Sequence, residues 1–154
     1  MKYFAYGSNM NQEQMKERGI HFLERKHAIL RGYRLEFNKL ASRNPQEGYA
    51  NIVPNENEIV EGILYEISDL DLPELDKYEG YHEHEEYPNH YNRIKVKVKL
   101  DDGQEIEATT YIANSAKVRE GLKPSREYLN HLLEGKGILS ETYYQKLKSW
   151  ETLD

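Results

Sequence analysis

The sequence predicts one α+β domain spanning residues 1–154, with a small, mixed, largely antiparallel, barrel-like sheet flanked by helices. Three observations carry this. The chain has 154 residues, the size of a domain with one core. Several segments alternate apolar and polar side chains with the period of two that marks a half-buried strand. Between and after them lie stretches with helix-capping residues and apolar positions one turn apart, an order that fits α+β architecture.

The elements follow in order. Residues 2–6 read as a short strand, ending in the turn-prone Gly7-Ser8-Asn9. Residues 11–18 read as a helix, with Asn11 and Gln14 at capping-box spacing and Gly19 as its terminator. Alternation over 33–38 predicts a strand, 50–53 another stopped by Pro54, and 59–67 a third. Within that third strand Gly62 marks a bulge or a close backbone approach. A short helix starts after Ser68 or Asp69, buries Leu72 and Leu75, and stops at Gly80. The clearest strand is 93–100, with Ile94, Val96, Val98 and Leu100 on one face and Lys95, Lys97 and Lys99 on the other. Asp101-Asp102-Gly103 turns it into a partner strand over 104–112. Two helices close the chain. Ser125 caps one, which carries Tyr128, Leu129, Leu132 and Leu133; Ser140 caps the other, which carries Tyr144, Leu147 and Trp150. About six strands are expected in all.

Composition narrows the function. The net charge of −6 argues against a nucleic-acid partner, whose affinity would come from a basic surface. No apolar run approaches the roughly 20 residues that a bilayer-spanning helix needs, so no membrane partner is expected. Met1 leads almost at once into a strand-like segment, so we expect no signal peptide. Cysteine is absent, which removes disulfides, a thiol nucleophile and thiolate metal sites; a reducing, cytoplasmic setting is the expectation. The 13 tyrosines each combine an apolar ring with a hydrogen-bonding tip, which suits a polar pocket as well as a core. Tyr143, Tyr144 and Trp150 are either core or a dimer patch, leaving monomer and homodimer open.

Three segments bear on chemistry. Residues 3–10 form a strand, a glycine turn and a helix start, whose unpaired N–H groups suit a carboxylate or an oxyanion; turning and capping alone would explain the same residues. Glu79 falls at a helix C-terminus, where the negative end of the helix dipole disfavours its charge. Partial burial would raise its pKa toward the range of a proton shuttle, although a solvated glutamate is the simpler reading among 27 acidic residues. Tyr128 sits one turn into the helix capped by Ser125, a position common in plain cores.

Together these segments resemble the gamma-glutamylcyclotransferase-like family. Tyr3 to Asn9 is similar to its aromatic strand ending in Tyr-Gly-Ser-Asn, and Leu75 to Gly80 to its Leu-Asp-x-x-Glu-Gly segment. Tyr91 ahead of Ile94 and Val96 resembles its tyrosine leading into a Val-rich strand, and Pro124 to Tyr128 its Pro-Ser-x-x-Tyr helix start. Gly32 to Leu35 and Val60 to Leu64 also look like family strands. The resemblance implies an enzyme that cyclises a gamma-glutamyl amide to 5-oxoproline and releases an amine, with no cofactor and no metal. It implies Glu79 as general base and acid, and Tyr6, Gly7, Ser8, Asn9, Tyr91 and Tyr128 as substrate-binding residues. Alternatives from the same residues are a cyclotransferase for gamma-glutamylamines and a non-catalytic module that binds a small carboxylate.

Residues 81–90 depart from the family pattern by their length, so Tyr87 competes with Tyr91 for the pocket position. His82, His84 and His90 stand among Glu83, Glu85 and Glu86, a composition that can bind zinc. A flap over the pocket is the reading we adopt for this stretch.

Overall fold

Two long strands form the frame of the molecule. A computed structural model describes residues 1–83 and 88–154, so the readings for His84, Glu85, Glu86 and Tyr87 lie outside the described residues. Strand β1 is Lys2–Ala5, β2 Phe22–Leu40, β3 Gly48–Ile67, β4 Tyr91–Leu100 and β5 Glu105–Ala113. They close into a five-stranded barrel in the order β1-β3-β2-β4-β5. All neighbours run antiparallel except β1 and β5, which meet in parallel at Tyr3 and Thr109. The sheet is therefore mixed and largely antiparallel, as expected, with five strands among the described residues rather than six.

The missing sixth strand has a physical reason. The segments 50–53 and 59–67 belong to one strand, and Pro54 does not end it. Arg31 pairs with Ile59 and Tyr33 with Pro54, so β3 carries extra residues opposite Gly32. A bulge is where a residue without an N–H is tolerated in a sheet. Gly62 answers the other glycine question: a Cβ there would lie 2.5 Å from the Ala5 carbonyl oxygen, so the β1–β3 contact requires its absence.

Helix α1 is Gln12–Glu17, α2 Leu72–Glu79, α3 Arg126–Leu133 and α4 Glu141–Lys148. Asn11 caps α1 as expected, accepting from the N–H groups of Glu13 and Gln14. The reciprocal half of the capping box is not made, because the Gln14 side chain turns to Ser8 and Asn9 instead. Leu75 anchors α2 in the core, and Leu72 is only half-buried. Tyr143 rather than Tyr144 is the buried tyrosine of α4. Trp150 lies just beyond that helix, its ring 4.9 Å from that of Phe37. Among the described residues no helix is long and apolar enough to cross a membrane.

Candidate active site

One end of the barrel gathers the polar residues. β1 and the residue just after it deliver Tyr3 and Tyr6 into the interior, and the chain then turns at Gly7 into a single 3-10 turn, Ser8–Met10, before α1 begins. A side chain at position 7 would press on the Ala50 Cβ at 3.2 Å and the Tyr128 hydroxyl at 3.4 Å, so glycine keeps this corner open. Among the described residues, the N–H groups of Gly7, Ser8 and Asn9 have no hydrogen-bond partner.

Asn9 is 2% exposed, and its amide is fully committed inside the protein. Its Nδ2 donates to the Tyr3 hydroxyl at 3.0 Å and to Glu79 Oε1 at 3.2 Å. Its Oδ1 accepts from Gln14 Nε2 at 3.1 Å and from Arg18 at 3.0 Å. Two donors and two acceptor positions are all that an amide offers. Asn9 thus holds Glu79 rather than keeping a free group for a ligand.

Glu79 is the last residue of α2, and Gly80 ends that helix in the left-handed conformation, φ 66°. The helix is fixed by Leu75 in the core and by Asp76, whose carboxylate accepts from both the Tyr111 hydroxyl and the Arg93 guanidinium. Glu79 itself is half-buried. Burial pushes its pKa up to about 7; the positive charges of Arg18 and Lys39 pull the other way, and Asp76 adds to the rise.

Tyr91 from β4 and Tyr128 from α3 meet on one peptide unit. The Tyr91 hydroxyl donates to the Ala50 carbonyl at 2.8 Å, while the Ala50 N–H donates to the Tyr128 hydroxyl at 3.0 Å. Tyr128 therefore keeps its own hydroxyl proton for another acceptor. Burial raises both phenols, so both stay protonated at neutral pH.

Two adjoining cavities share Ser8, Glu79, Tyr91 and Tyr128. The outer is about 330 Å³; the inner recess is about 40 Å³. All seven residues singled out in the sequence line the inner recess: Tyr6, Gly7, Ser8, Asn9, Glu79, Tyr91 and Tyr128. The geometry thus brings together segments that lie 121 positions apart in the chain, from Gly7 to Tyr128.

The family model described as gamma-glutamyl cyclotransferase, AIG2-like matches residues 3–130. The chain belongs to this family. The gamma-glutamylcyclotransferase of Homo sapiens is 29% identical over 157 residues, which cover 99% of this chain and 79% of the relative. That of Bos taurus is 28% identical, with the same coverage of each chain. A solved gamma-glutamyl cyclotransferase structure superposes with a TM-score of 0.85 at 28% identity, covering 100% of this chain and 89% of its own. Membership places the chain among cyclotransferase enzymes.

The site of this family member holds more than the sequence pointed to. Arg18, Arg43, Tyr49, Tyr78 and Glu127 line the outer cavity, and Tyr3 and Tyr111 line the recess. Arg18 stacks its guanidinium on Tyr78 at 4.8 Å, and Tyr49 stacks on Tyr128 at 4.7 Å. Tyr3 had a signal, since it alternates with Ala5 in the motif strand; Arg18 had none beyond its place at the end of α1. Among the described residues no group of three or more His, Cys, Asp or Glu side chains is placed to hold a metal ion. His90 instead bonds Lys39 at 2.9 Å.

Proposed function

We propose that the protein is a gamma-glutamyl cyclotransferase that forms 5-oxoproline, with Glu79 as the proton carrier. The observation that carries this is the state of Glu79: a half-buried carboxyl at about pKa 7, held by Asn9 at 3.2 Å beside a recess lined by five neutral tyrosines. A carboxyl with that pKa both accepts and donates a proton near neutral pH.

The substrate carries its own nucleophile. Glu79 takes a proton from the α-ammonium of the gamma-glutamyl group, and the freed amine attacks the side-chain amide carbon. A ring C–N bond forms and the carbonyl electrons move onto oxygen. When that oxyanion collapses, the original amide C–N bond breaks. The two protons lost by the ammonium, relayed through Glu79, end on the departing nitrogen. Products are 5-oxoproline and a free ammonium, and the enzyme returns unchanged.

The protein's task is to hold the folded conformer, in which attack is intramolecular. The N–H groups of Gly7, Ser8 and Asn9 are suited to the glutamyl carboxylate or the oxyanion. The spare hydroxyl proton of Tyr128 and the hydroxyl oxygen of Tyr91 are suited to orienting the glutamyl group. The larger outer cavity then receives the leaving amine.

The test is incubation with a panel of gamma-glutamyl amino acids and amines, followed by mass spectrometry. We expect 5-oxoproline, unaffected by a chelator, and the panel identifies the amine released. Free glutamate as the product would mean that water is the nucleophile, and the mechanism above would be wrong. Binding of gamma-glutamyl ligands without turnover would favour the small-carboxylate module instead.

A further inference from the structure

Lys39 lies near the end of β2 with its side chain shut away from solvent, 3% exposed. A buried ammonium is costly unless a carboxylate pairs with it. Among the described residues Lys39 forms no ion pair; its hydrogen-bond partner is His90 Nδ1 at 2.9 Å. The ammonium lies 5.5 Å from the ring of Tyr49 and 5.6 Å from that of Tyr91, two walls of the outer cavity. His90 in turn grips the end of α2. Its N–H donates to the Gly80 carbonyl at 2.9 Å, and its ring stands 2.8 Å from where a Cβ on Gly80 would lie. Ammonium, imidazole and the residue after Glu79 are packed one against the next.

We propose that Lys39 is a positioning residue for this site: its ammonium, seated by His90, is a second positive charge, beside that of Arg18, that favours the ionised form of Glu79. The proposal rests on Glu79 as proton carrier, and its test separates the two.

The electrostatics support it. Burial, with Lys117 nearby, brings Lys39 down to about 8, while Glu79 pulls it up; Lys39 lowers Glu79 in return. Burial together with Lys39, Lys117 and His82 lowers His90, which keeps its ring neutral and Nδ1 free to accept from the ammonium. The charged groups acting on Glu79 are Arg18 from the end of α1, Lys39 from β2 and Asp76 from α2 itself. The phenols that sense its charge are Tyr3 from β1, Tyr6 just after it, Tyr91 from β4, Tyr111 from β5 and Tyr128 from α3, all raised and neutral. Arg18 acts more strongly than Lys39, but a guanidinium stays charged at any working pH. Lys39, brought down to about 8, can lose its proton in the alkaline range, so it gives the site an alkaline limit that Arg18 cannot.

The experiment follows the Glu79 Cδ and Lys39 Cε signals by carbon-13 NMR across a pH titration. In the wild-type protein the Lys39 signal should show a second inflection at the Glu79 midpoint, as coupled groups do. In Lys39→Met the Glu79 midpoint should rise by about one unit, and in Lys39→Arg it should stay near the wild-type position. The acid limb of kcat/KM should move with it. A wild-type Lys39 signal blind to the Glu79 titration overturns the proposal without any variant having to fold. An unmoved Glu79 midpoint in Lys39→Met overturns it too. A midpoint that moves in a protein making no 5-oxoproline supports the charge coupling and rejects the cyclotransferase reading.

Discussion

A glutamate on the barrel wall and one at the end of α2 are treated in opposite ways. On β3, Glu61 accepts from His27 at 2.7 Å, from the Ser140 N–H at 2.9 Å and from the Ser140 hydroxyl at 2.6 Å. These bonds tie the start of α4 to the barrel wall. At the end of α2, Glu79 accepts from Asn9 at 3.2 Å and, among the described residues, from nothing else. Glu47, 2% exposed, belongs with Glu61: Arg43 holds both its oxygens, and that guanidinium keeps its carboxyl below the usual range. Donors decide the difference. A buried carboxylate given several donors has its lone pairs taken up and serves the fold. One given a single long bond drifts toward neutrality and keeps lone pairs for a ligand.

The sharpest way to break this contrast is to remove the Glu79 charge. Glu79→Gln should lower 5-oxoproline formation by about 10²–10⁴-fold, the usual weight of general acid–base catalysis. It should also stabilise the fold, in a pH-dependent way. The folded pKa is about 7 and burial is its main cause; the unfolded value is about 4.3. A raised carboxyl costs nothing while it is protonated in both states. Its cost grows as pH climbs through the unfolded value and is complete above the folded one. Relative to wild type, Glu79→Gln should therefore gain up to about 4 kcal/mol above neutrality and nothing in acid. Urea titrations at both ends of that range read this directly, and equal gains at both would mean that Glu79 carries no burial strain.

Asn9→Ala should follow in size. It frees Glu79 from its one hydrogen bond while leaving the carboxyl present, so kcat should fall by about 10²-fold through lost placement. Substrate panels and steady-state kinetics check it, and an unchanged kcat would show that the Asn9 bond does not place Glu79 for catalysis.

Glu61→Ala acts on the other side of the comparison. It strands the Ser140 N–H and hydroxyl and the His27 imidazole, and should cost about 1–3 kcal/mol of stability. Turnover per folded molecule should not change, since Glu61 lines neither cavity of the site. A denaturant midpoint that stays put would sink the structural role; a fall in kcat would sink the separation of the two regions.

How far the sequence led follows from which interactions are local. The alternation in β4 and the caps Asn11, Ser125 and Ser140 are local, and the structure keeps them. The bulge that carries Pro54 inside β3 depends on Gly32 in the facing strand, so the pattern around Pro54 alone read as a stop. The seven recess residues singled out in the sequence were legible because each sits in a short motif. Lys39 was not, yet its signal was one residue away. Phe37 is buried, and with a period of two Lys39 shares its face once the strand runs past 38. The opposite fates of Glu61 and Glu79 were beyond reach, because every donor that separates them comes from a distant segment: Ser140 for one, Asn9 for the other.

The smallest expected effect tests the rim of the Glu61 region. His27 bridges Glu61 to Asp101 in the β4–β5 turn, with Asp101 at 2.6 Å. Burial works against the charge of His27, but the bonds to Asp101 and Glu61 outweigh it and raise its pKa. A raised imidazole stabilises the fold below its unfolded value, and that contribution is lost as pH rises through the folded one. Asp101 is largely solvated, its side chain 76% exposed, so its share of the attraction is screened. Asp101→Asn should therefore cost about 0.5 kcal/mol in mild acid and nothing in alkali, as read by thermal melts at each pH. A loss that persists in alkali would mean that Asp101 acts as a turn residue rather than as a charge. The buried partner, Glu61, would then carry the whole of the His27 interaction.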